Sequence, residues 1–229
     1  MNLSIRLQKI ADFVPEGGVV ADVGTDHGHL PIYLVQKQKN PAAIAMDVRP
    51  GPLSRAQQAI AVCGLKDQIE TRLADGLGAL KPGEANTVTI AGMGGALIQK
   101  IMIEGSHMWD SVEHWILSPQ SELRETRHWL SDNGFAILKE DMVLDAGKYY
   151  VVMDVVRGSF AYQQEYEYSY GGDLIAKAHP VLREFLLLEQ KKRLEILEKL
   201  SKSEHQKARC EELKAELEEI HQVLLKITE

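Results

Sequence analysis

Short apolar runs alternate with helix-compatible segments over the first 158 residues. Segments such as Leu30–Gln38 and Leu53–Cys63 have helical spacing. Because each apolar run is short and bounded by glycine, proline or charged residues, it is typical of a buried parallel strand. The alternation of strand and helix predicts a parallel sheet with right-handed crossovers. The five runs are Val19–Gly24, Ala43–Val48, Ile69–Leu73, Thr87–Ala91 and His114–Ser118.

Two further apolar runs follow and must pair differently. Phe135–Asp145 and Tyr149–Val156 are separated by three residues, Ala146 to Lys148, which is too short for a helical crossover. The two strands are therefore antiparallel. Five parallel strands followed by an antiparallel pair predict an α/β fold with a seven-stranded, Rossmann-like sheet of the class I methyltransferase type. A dehydrogenase-type domain more often continues with parallel strands.

The composition changes after Gly158. Residues 159–173 are rich in Tyr, Gln and Glu and indicate a linker, and helical spacing begins at Leu174. A break at residues 201–203 favours a coiled-coil-like hairpin of two helices over a single helical tail packed on the main core. We predict two domains, 1–158 and 159–229. The two apolar stripes are Leu182, Phe185, Leu186, Leu194, Leu197 and Leu200, and then Cys210, Leu213, Leu217, Ile220, Leu224 and Ile227.

Charge and composition narrow the classes of function. The 229 residues carry a net charge of −7, which argues against a protein that coats nucleic acid through bulk charge but leaves room for local basic patches. Cys63 and Cys210 have no metal-ligand spacing, so we expect free thiols and no metal. No apolar run reaches the length of a membrane span, and the first residues lack a signal pattern. We expect a cytoplasmic protein without a membrane partner.

The loop after the first strand carries the most specific signal. Asp22–Gly28 reads DVGTDHG, and its two glycines allow a tight turn and close approach of a ligand. The loop places acids where a diphosphate-binding loop keeps bare amides. A carboxylate at Asp26 repels a diphosphate but suits a positively charged cofactor without phosphate, such as S-adenosylmethionine. The alternative is an ordinary strand-to-helix turn with a capping Asp.

Acids also follow the second and third strands. Asp47 lies 23 residues after Gly24, where a carboxylate can accept hydrogen bonds from both ribose hydroxyls. Asp75 begins an Asp-Gly pair with Gly76, where this fold type places an acceptor for the adenine amine. The alternatives are a helix cap at Asp47 and a simple turn at Asp75.

The loops after the fourth and fifth strands are candidates for the methyl-transfer site. Gly92, Met93 and Gly94 form a glycine-rich loop that presents backbone to a ligand, and Gln120 beside it can both donate to and accept from the edge of a base. His27 and His29 are candidate acid–base residues, with a scaffold role as the equal alternative.

These motifs resemble the bacterial tRNA (adenine-22-N1)-methyltransferase family. The strings DVGTDHGHLP, AIAMDVRPGPL, ADGL and TVTIAGMGG occur in the order typical of that family, and the resemblance extends over residues 1–157. It implies S-adenosylmethionine as donor and N1 of an adenine in the D-loop region of tRNA as acceptor. By position it implies that Gly24, Asp26, His27 and Gly28 hold the methionine end, Asp47 and Val48 the ribose, and Asp75 and Gly76 the adenine, and that Gly92, Met93 and Gly94 line the methyl-transfer site. Asp22 is a further candidate for cofactor binding.

Contacts with the acceptor are predicted from residue type. Tyr33, Pro119 and Gln120 are candidates for gripping the target base. Candidates for contact with RNA are Arg6, Lys9, Arg49, Arg124 and Arg127, as are basic residues of the tail that include Lys191, Lys199, Lys202 and Lys207.

Other functions remain open at the level of sequence. A methyltransferase for another RNA or a small molecule shares the fold, and a non-catalytic S-adenosylmethionine-binding interaction protein would keep the same cofactor site. The intact acids at Asp26, Asp47 and Asp75 favour an enzyme. The oligomeric state expected is a monomer, with a weak dimer through the helical tail as the alternative.

Overall fold

The computed structural model describes residues 2–200 and 206–228. Contacts divide the chain into two compact units, residues 1–161 and 162–229. No helix in the described ranges is both long and apolar enough to cross a membrane. In the first unit the strands are β1 Val20–Val23, β2 Ala43–Asp47, β3 Ile69–Leu73, β4 Thr87–Met93, β5 His114–Pro119, β6 Phe135–Asp145 and β7 Lys148–Arg157, and the helices are α1 Ile5–Phe13, α2 His29–Gln36, α3 Pro50–Val62, α4 Gly95–Glu104 and α5 Leu123–Asp132.

The seven strands form one sheet in the order β3-β2-β1-β4-β5-β7-β6. Strands β1 to β5 are parallel, whereas β7 runs antiparallel to both β5 and β6. This confirms the predicted Rossmann-like sheet with its terminal antiparallel pair. The order in which strands are added to the sheet reverses at β1, which lies between β2 and β4. The loops that follow these parallel strands therefore face one crevice at the carboxyl edge of the sheet.

Helix α1 packs over the sheet close to that edge. Its buried residues Ile10 and Phe13 join a core cluster that also contains Leu34 of α2 and Ile116 of β5. Two polar contacts fix the helix to the β6–β7 hairpin. The Arg6 amide donates to Asp145 Oδ2 at 3.0 Å, and Lys9 Nζ lies 2.7 Å from Asp141 Oδ2. The first turn of α1 is therefore held in place by the antiparallel strands.

The second unit is helical. It contains α6 Glu165–Tyr170, α7 Gly172–Ala176, α8 Pro180–Leu200 and α9 Lys207–Lys226. Helices α6 and α7 begin inside residues 159–173, so the prediction of a linker over that whole range was wrong. Gln164 and Glu167 form a reciprocal capping box that starts α6. Gln and Glu residues that suggested a linker thus cap a short helix.

The apolar stripes of α8 and α9 are only partly as predicted. Leu213 and Ile220 of α9 are buried, as is Ile227 directly after it, whereas Leu194 of α8 is 51% exposed. The structure instead buries Val223, which the predicted stripe omitted. An ion pair of 2.6 Å between Arg193 Nε and Glu216 Oε2 joins the two helices. The predicted break at residues 201–203, with Lys202, lies outside the described residues.

Candidate active site at the carboxyl ends of the strands

A cavity of about 510 Å³ lies at the carboxyl ends of the parallel strands. Loops that follow β1, β2, β3, β4 and β5 line it, together with the first turn of α1. The structure thus brings together residues that are far apart in sequence. The sequence-predicted residues in the lining are Arg6, Asp22, Gly24, Asp26, His29, Asp47, Val48, Arg49, Asp75, Gly76, Gly92, Met93 and Gln120.

The turn after β1 requires glycine at position 24. Gly24 has φ of +77°, and a Cβ atom there would overlap the Cε atom of Met93. The amides of Gly24 and Thr25 both donate to the carbonyl of Met46, each at 2.8 Å, which folds the loop back over the end of β2. Only glycine combines this backbone conformation with such close packing against the loop after β4.

Asp22 lies at the floor of the cavity. Its carboxylate accepts a hydrogen bond from Thr89 Oγ1 at 2.7 Å, and Asp22 as a whole is 8% exposed. Burial raises the pKa of Asp22, the hydrogen bond from Thr89 opposes that rise, and the neighbouring charge of Asp47 adds to it. Two acids therefore lie close enough in the cavity to influence each other's ionisation.

Residues 26–29 form a more exposed rim at one end of the cavity. The side chain of Asp26 is 78% exposed, and its Oδ1 atom lies 3.5 Å from His27 Nε2. The rings of His27 and His29 stack with centroids 5.4 Å apart. His29 lines the cavity, and its Nδ1 atom is buried without a hydrogen-bond partner in the described ranges. The geometry places a carboxylate and an imidazole at this end of the cavity.

The acids after β2 and β3 sit in different environments. Asp47 is 5% exposed, and its Oδ1 atom accepts the Arg49 amide at 2.7 Å. This local bond orients the carboxylate at the strand end. Asp75 is exposed and precedes Gly76, whose φ is +53° and whose Cβ position would lie 3.3 Å from Ile101 Cγ2. An apolar surface therefore borders the Asp75 carboxylate.

A β-bulge shapes the end of β4. The pairing with β5 shifts between Ala91 and Met93, so that Gly92, with φ of +78°, projects out of the ladder. The Gln120 amide donates to the Met93 carbonyl at 2.9 Å, which joins the loop after β5 to the bulge. Bulges of this kind commonly redirect backbone beside active sites.

Several predicted residues lie outside the cavity lining. Gly28 caps α2 in the left-handed conformation and faces Ala56 instead of the cavity, and Gly94 packs against Ser121 and Glu122. Pro119 is buried at the end of β5. These residues shape the loops instead of lining the cavity. His27 also lies outside the lining and contacts two residues within it, Asp26 and His29.

The candidates for acceptor contact are also dispersed. Tyr33 packs against the core cluster beneath α1, away from the cavity lining. Lys9 is engaged with Asp141, and Arg124 lies exposed on α5. Arg127 is fully buried, so the prediction that it contacts RNA was wrong. Of the candidates that the structure describes, Arg6, Arg49 and Gln120 line the cavity.

The apolar wall of the cavity was missed by sequence reasoning. Leu97 and Ile101 of α4 line it, as do Leu7, Leu30 and Ala91. The four-residue spacing of Leu97 and Ile101 directly after the glycine-rich loop was the available signal, because residues i and i+4 share a helix face. Such a wall suits a flat aromatic base.

Comparison with known proteins gives the site its context. A family profile described as a methyltransferase domain matches residues 3–153. The tRNA (adenine(22)-N(1))-methyltransferase of Bacillus subtilis (strain 168) is 40% identical over 153 residues, which are 67% of this chain and 64% of that protein. The match thus covers somewhat less than two thirds of the relative's length.

Solved structures extend the similarity to nearly the whole chain. The B. subtilis M1A22 tRNA methyltransferase TrmK has a TM-score of 0.85 at 32% identity, and the superposition covers 97% of this chain and 99% of that one. Streptococcus pneumoniae Sp1610 in complex with S-adenosyl-L-methionine has a TM-score of 0.89 at 34% identity, covering 97% and 100%.

The chain belongs to the tRNA (adenine-22-N1)-methyltransferase family. The resemblance of the loop motifs is confirmed by these matches. A further family structure, M. capricolum TrmK with S-adenosyl-homocysteine, has a TM-score of 0.85 at 25% identity, and the superposition covers 98% of this chain and 99% of that one. The family matches therefore include both donor-bound and product-bound proteins.

Proposed function

We propose that this family member transfers a methyl group from S-adenosylmethionine to N1 of an adenine in tRNA, at position 22. The observation that carries the proposal is the meeting of three carboxylates, Asp26, Asp47 and Asp75, from three adjacent strand ends in one cavity. The named activities of the family members support the choice of donor and acceptor.

The cavity fits the donor by charge and by shape. Asp26 and His29 lie where they can hold the methionine end over the turn at Gly24. Asp47, already oriented by the Arg49 amide, can accept hydrogen bonds from ribose hydroxyls. Asp75 can accept from the adenine amine, and the exposed side chains of Val48 and Leu97 can cover the faces of that base. A phosphate group beside these acids would be repelled.

S-adenosylmethionine, when bound, supplies a methyl group activated by its sulfonium centre. The residues of the chain have an orienting task. Gly92 and Met93 present the bulged backbone where an acceptor can approach, and no side chain need remove a proton, because N1 of adenine carries an available lone pair at neutral pH. Orientation of this kind can lower a reaction barrier by on the order of 7–11 kcal/mol.

The acceptor base must leave its stack to reach the cavity. Turning a nucleotide out of folded RNA costs a few kcal/mol. Gln120, joined to Met93 through its backbone amide, lies where its side chain can hydrogen-bond the edge of the base. We assign to Gln120 the recognition of the acceptor and to His27 and His29 a positioning role in the loop.

A direct assay tests this proposal. Purified protein is incubated with methyl-labelled S-adenosylmethionine and an unmodified bacterial tRNA transcript that carries adenine at position 22. We expect one methyl group per transcript, located by nuclease digestion and mass spectrometry as 1-methyladenosine at that position. The matched control is the same transcript with guanine at position 22. Equal labelling of both transcripts, or labelling of neither, contradicts the proposal.

We also propose that the helical unit, residues 162–229, contacts tRNA, and that the protein acts as a cytoplasmic monomer. The unit contains fourteen Asp and Glu residues against eleven Lys and Arg, so its overall charge does not attract RNA. Several of its cations pair with neighbouring glutamates, as Arg209 does with Glu212 at 2.8 Å. Lys191 and Lys199 of α8 and Lys207 of α9 are the better candidates, because no ion pair engages them in the described ranges.

Removing these three charges together tests the proposal for the helical unit. The triple substitution Lys191→Gln, Lys199→Gln and Lys207→Gln should raise the KM for tRNA several-fold while leaving the KM for S-adenosylmethionine unchanged, because phosphate contacts act on RNA affinity. The control removes paired cations, Arg209→Gln with Lys214→Gln. An unchanged KM for tRNA in the first variant would remove the unit from the RNA interface.

A further inference from the structure

Arg6 presents a cationic donor to the cavity. It lies in the first turn of α1 and lines the cavity beside the β4 bulge. Its Nη1 atom is buried and has no hydrogen-bond partner within residues 2–200 and 206–228. A Cβ atom built on Gly92 would lie 3.4 Å from that Nη1 and 3.8 Å from Gln120 Nε2. Two nitrogen donors therefore converge on one point above the bulge.

A buried donor without an acceptor carries an energetic cost. The cost is larger when the unsatisfied group is charged, as a guanidinium is. Guanidinium nitrogens only donate, so Nη1 can be satisfied only by an acceptor atom. Because the described part of the chain places no acceptor within hydrogen-bond distance of Nη1, a ligand that enters the cavity can supply one.

The surrounding structure holds the guanidinium in place. The Arg6 amide donates to Asp145 Oδ2, a bond that is the main cause of the lowered pKa of Asp145. The guanidinium carbon lies 4.9 Å from the centroid of the Tyr150 ring. Both partners belong to the β6–β7 hairpin, which also binds Lys9 through Asp141. A side chain fixed at its backbone and along its planar end is preorganised for a ligand.

We propose that Arg6 binds an oxyanion at the bulged end of the cavity, with Gln120 as a second donor. This inference rests on the proposed function. The planar guanidinium can donate to both oxygens of a phosphate or carboxylate. In the proposed function, the acids on the β1 and β2 loops bind the cationic and hydroxyl groups of the donor. Two sources supply that chemistry: a phosphate that flanks the acceptor adenosine, and the carboxylate at the amino-acid end of the donor. Asp145 and Tyr150 are positioning residues for Arg6.

Binding measurements on full-length variants distinguish the two sources. Arg6→Gln keeps part of the aliphatic side chain and removes the charge. Arg6→Lys keeps the charge and removes the planar guanidinium group. The control is Lys66→Gln, which removes an exposed charge that precedes β3 at the opposite edge of the sheet. Calorimetry with S-adenosylhomocysteine reports the carboxylate contact. Affinity for tRNA measured across a series of salt concentrations reports the phosphate contact. Thermal unfolding checks that each variant folds.

The expected loss for Arg6→Gln is roughly 10- to 100-fold in one of the two affinities, as for a charged hydrogen bond. If Arg6 contacts a phosphate, Arg6→Gln makes the dependence of log K on log salt shallower by about 0.7–0.9 and leaves the affinity for S-adenosylhomocysteine unchanged. If Arg6 contacts the carboxylate of the donor, Arg6→Gln weakens the affinity for S-adenosylhomocysteine and leaves the salt dependence of tRNA binding unchanged. If both affinities of a folded Arg6→Gln protein equal those of Lys66→Gln, the inference is overturned. Failure of the wild-type protein to methylate tRNA would instead contradict the proposed function.

Discussion

Replacing Asp47 with Asn lowers the affinity for S-adenosylhomocysteine by roughly 10- to 150-fold, or about 1.5–3 kcal/mol. The carboxylate is 5% exposed and oriented by the Arg49 amide at 2.7 Å, so it is ready to accept from ribose without rearrangement. Asn retains an oxygen for the Arg49 amide and keeps the local turn. It loses the charge and one of the two acceptor oxygens that a ribose needs.

Isothermal titration calorimetry measures this change. The matched control is Asp67→Asn, an exposed acid that precedes β3 at the opposite edge of the sheet. Its affinity should equal that of the wild-type protein. If Asp47→Asn binds as tightly as the control does, the ribose is not held at the end of β2, and the assignment of the neighbouring loops has to be revised with it.

Replacing Arg127 with Met destabilises the fold by about 3–5 kcal/mol. The Arg127 Nη2 atom lies 2.8 Å from Glu140 Oε1, and both side chains are fully buried between α5 and β6. Removal of the cation leaves a buried carboxylate without its charged partner, which is far costlier than loss of a surface ion pair. For a domain of this size the midpoint of thermal unfolding should fall by on the order of 10 °C.

Thermal unfolding followed by circular dichroism tests that expectation. The double variant Arg127→Met with Glu140→Leu removes both charges, so it should recover much of the lost stability. If the single variant unfolds at the same temperature as the wild-type protein, solvent reaches Glu140 and the pair is not a buried one. The cofactor affinity of folded protein should not change, because the pair lies outside the cavity lining.

Much of the sheet could be predicted because its signals are local. Buried parallel strands read as short apolar runs, and the short link between β6 and β7 excluded a crossover. Strand ends were less predictable. The glycine bulge carries β4 to Met93, two residues beyond the predicted end, because its pairing with β5 resumes after the bulge. That shift depends on contacts between strands distant in sequence.

The site shows the same division between local and distant information. The acids after β1, β2 and β3 were found because each directly follows a strand, and strand ends meet at one edge. Gly28 and Gly94 looked equally exposed to a ligand, but they pack against Ala56 and against Ser121. Whether a loop glycine faces a cavity or another element depends on tertiary packing, which spacing does not encode.

Arg6 is a residue whose importance the structure shows and the sequence did not. In the sequence it was one of several basic residues without distinguishing features. The structure separates it from Lys9, three residues later, because Lys9 is engaged with Asp141 while Nη1 of Arg6 lies buried beside Gly92. The difference arises from where the β6–β7 hairpin meets α1, a contact between residues more than 130 positions apart.

A crystal structure of this protein with S-adenosylhomocysteine is the most direct test of how the three strand ends work together. We expect both ribose hydroxyls within hydrogen-bond distance of the Asp47 carboxylate, the adenine amine at Asp75, and the amino-acid end over Gly24 and Asp26. A nucleoside lying elsewhere, or bound at this edge without contact to Asp47 and Asp75, would contradict the account.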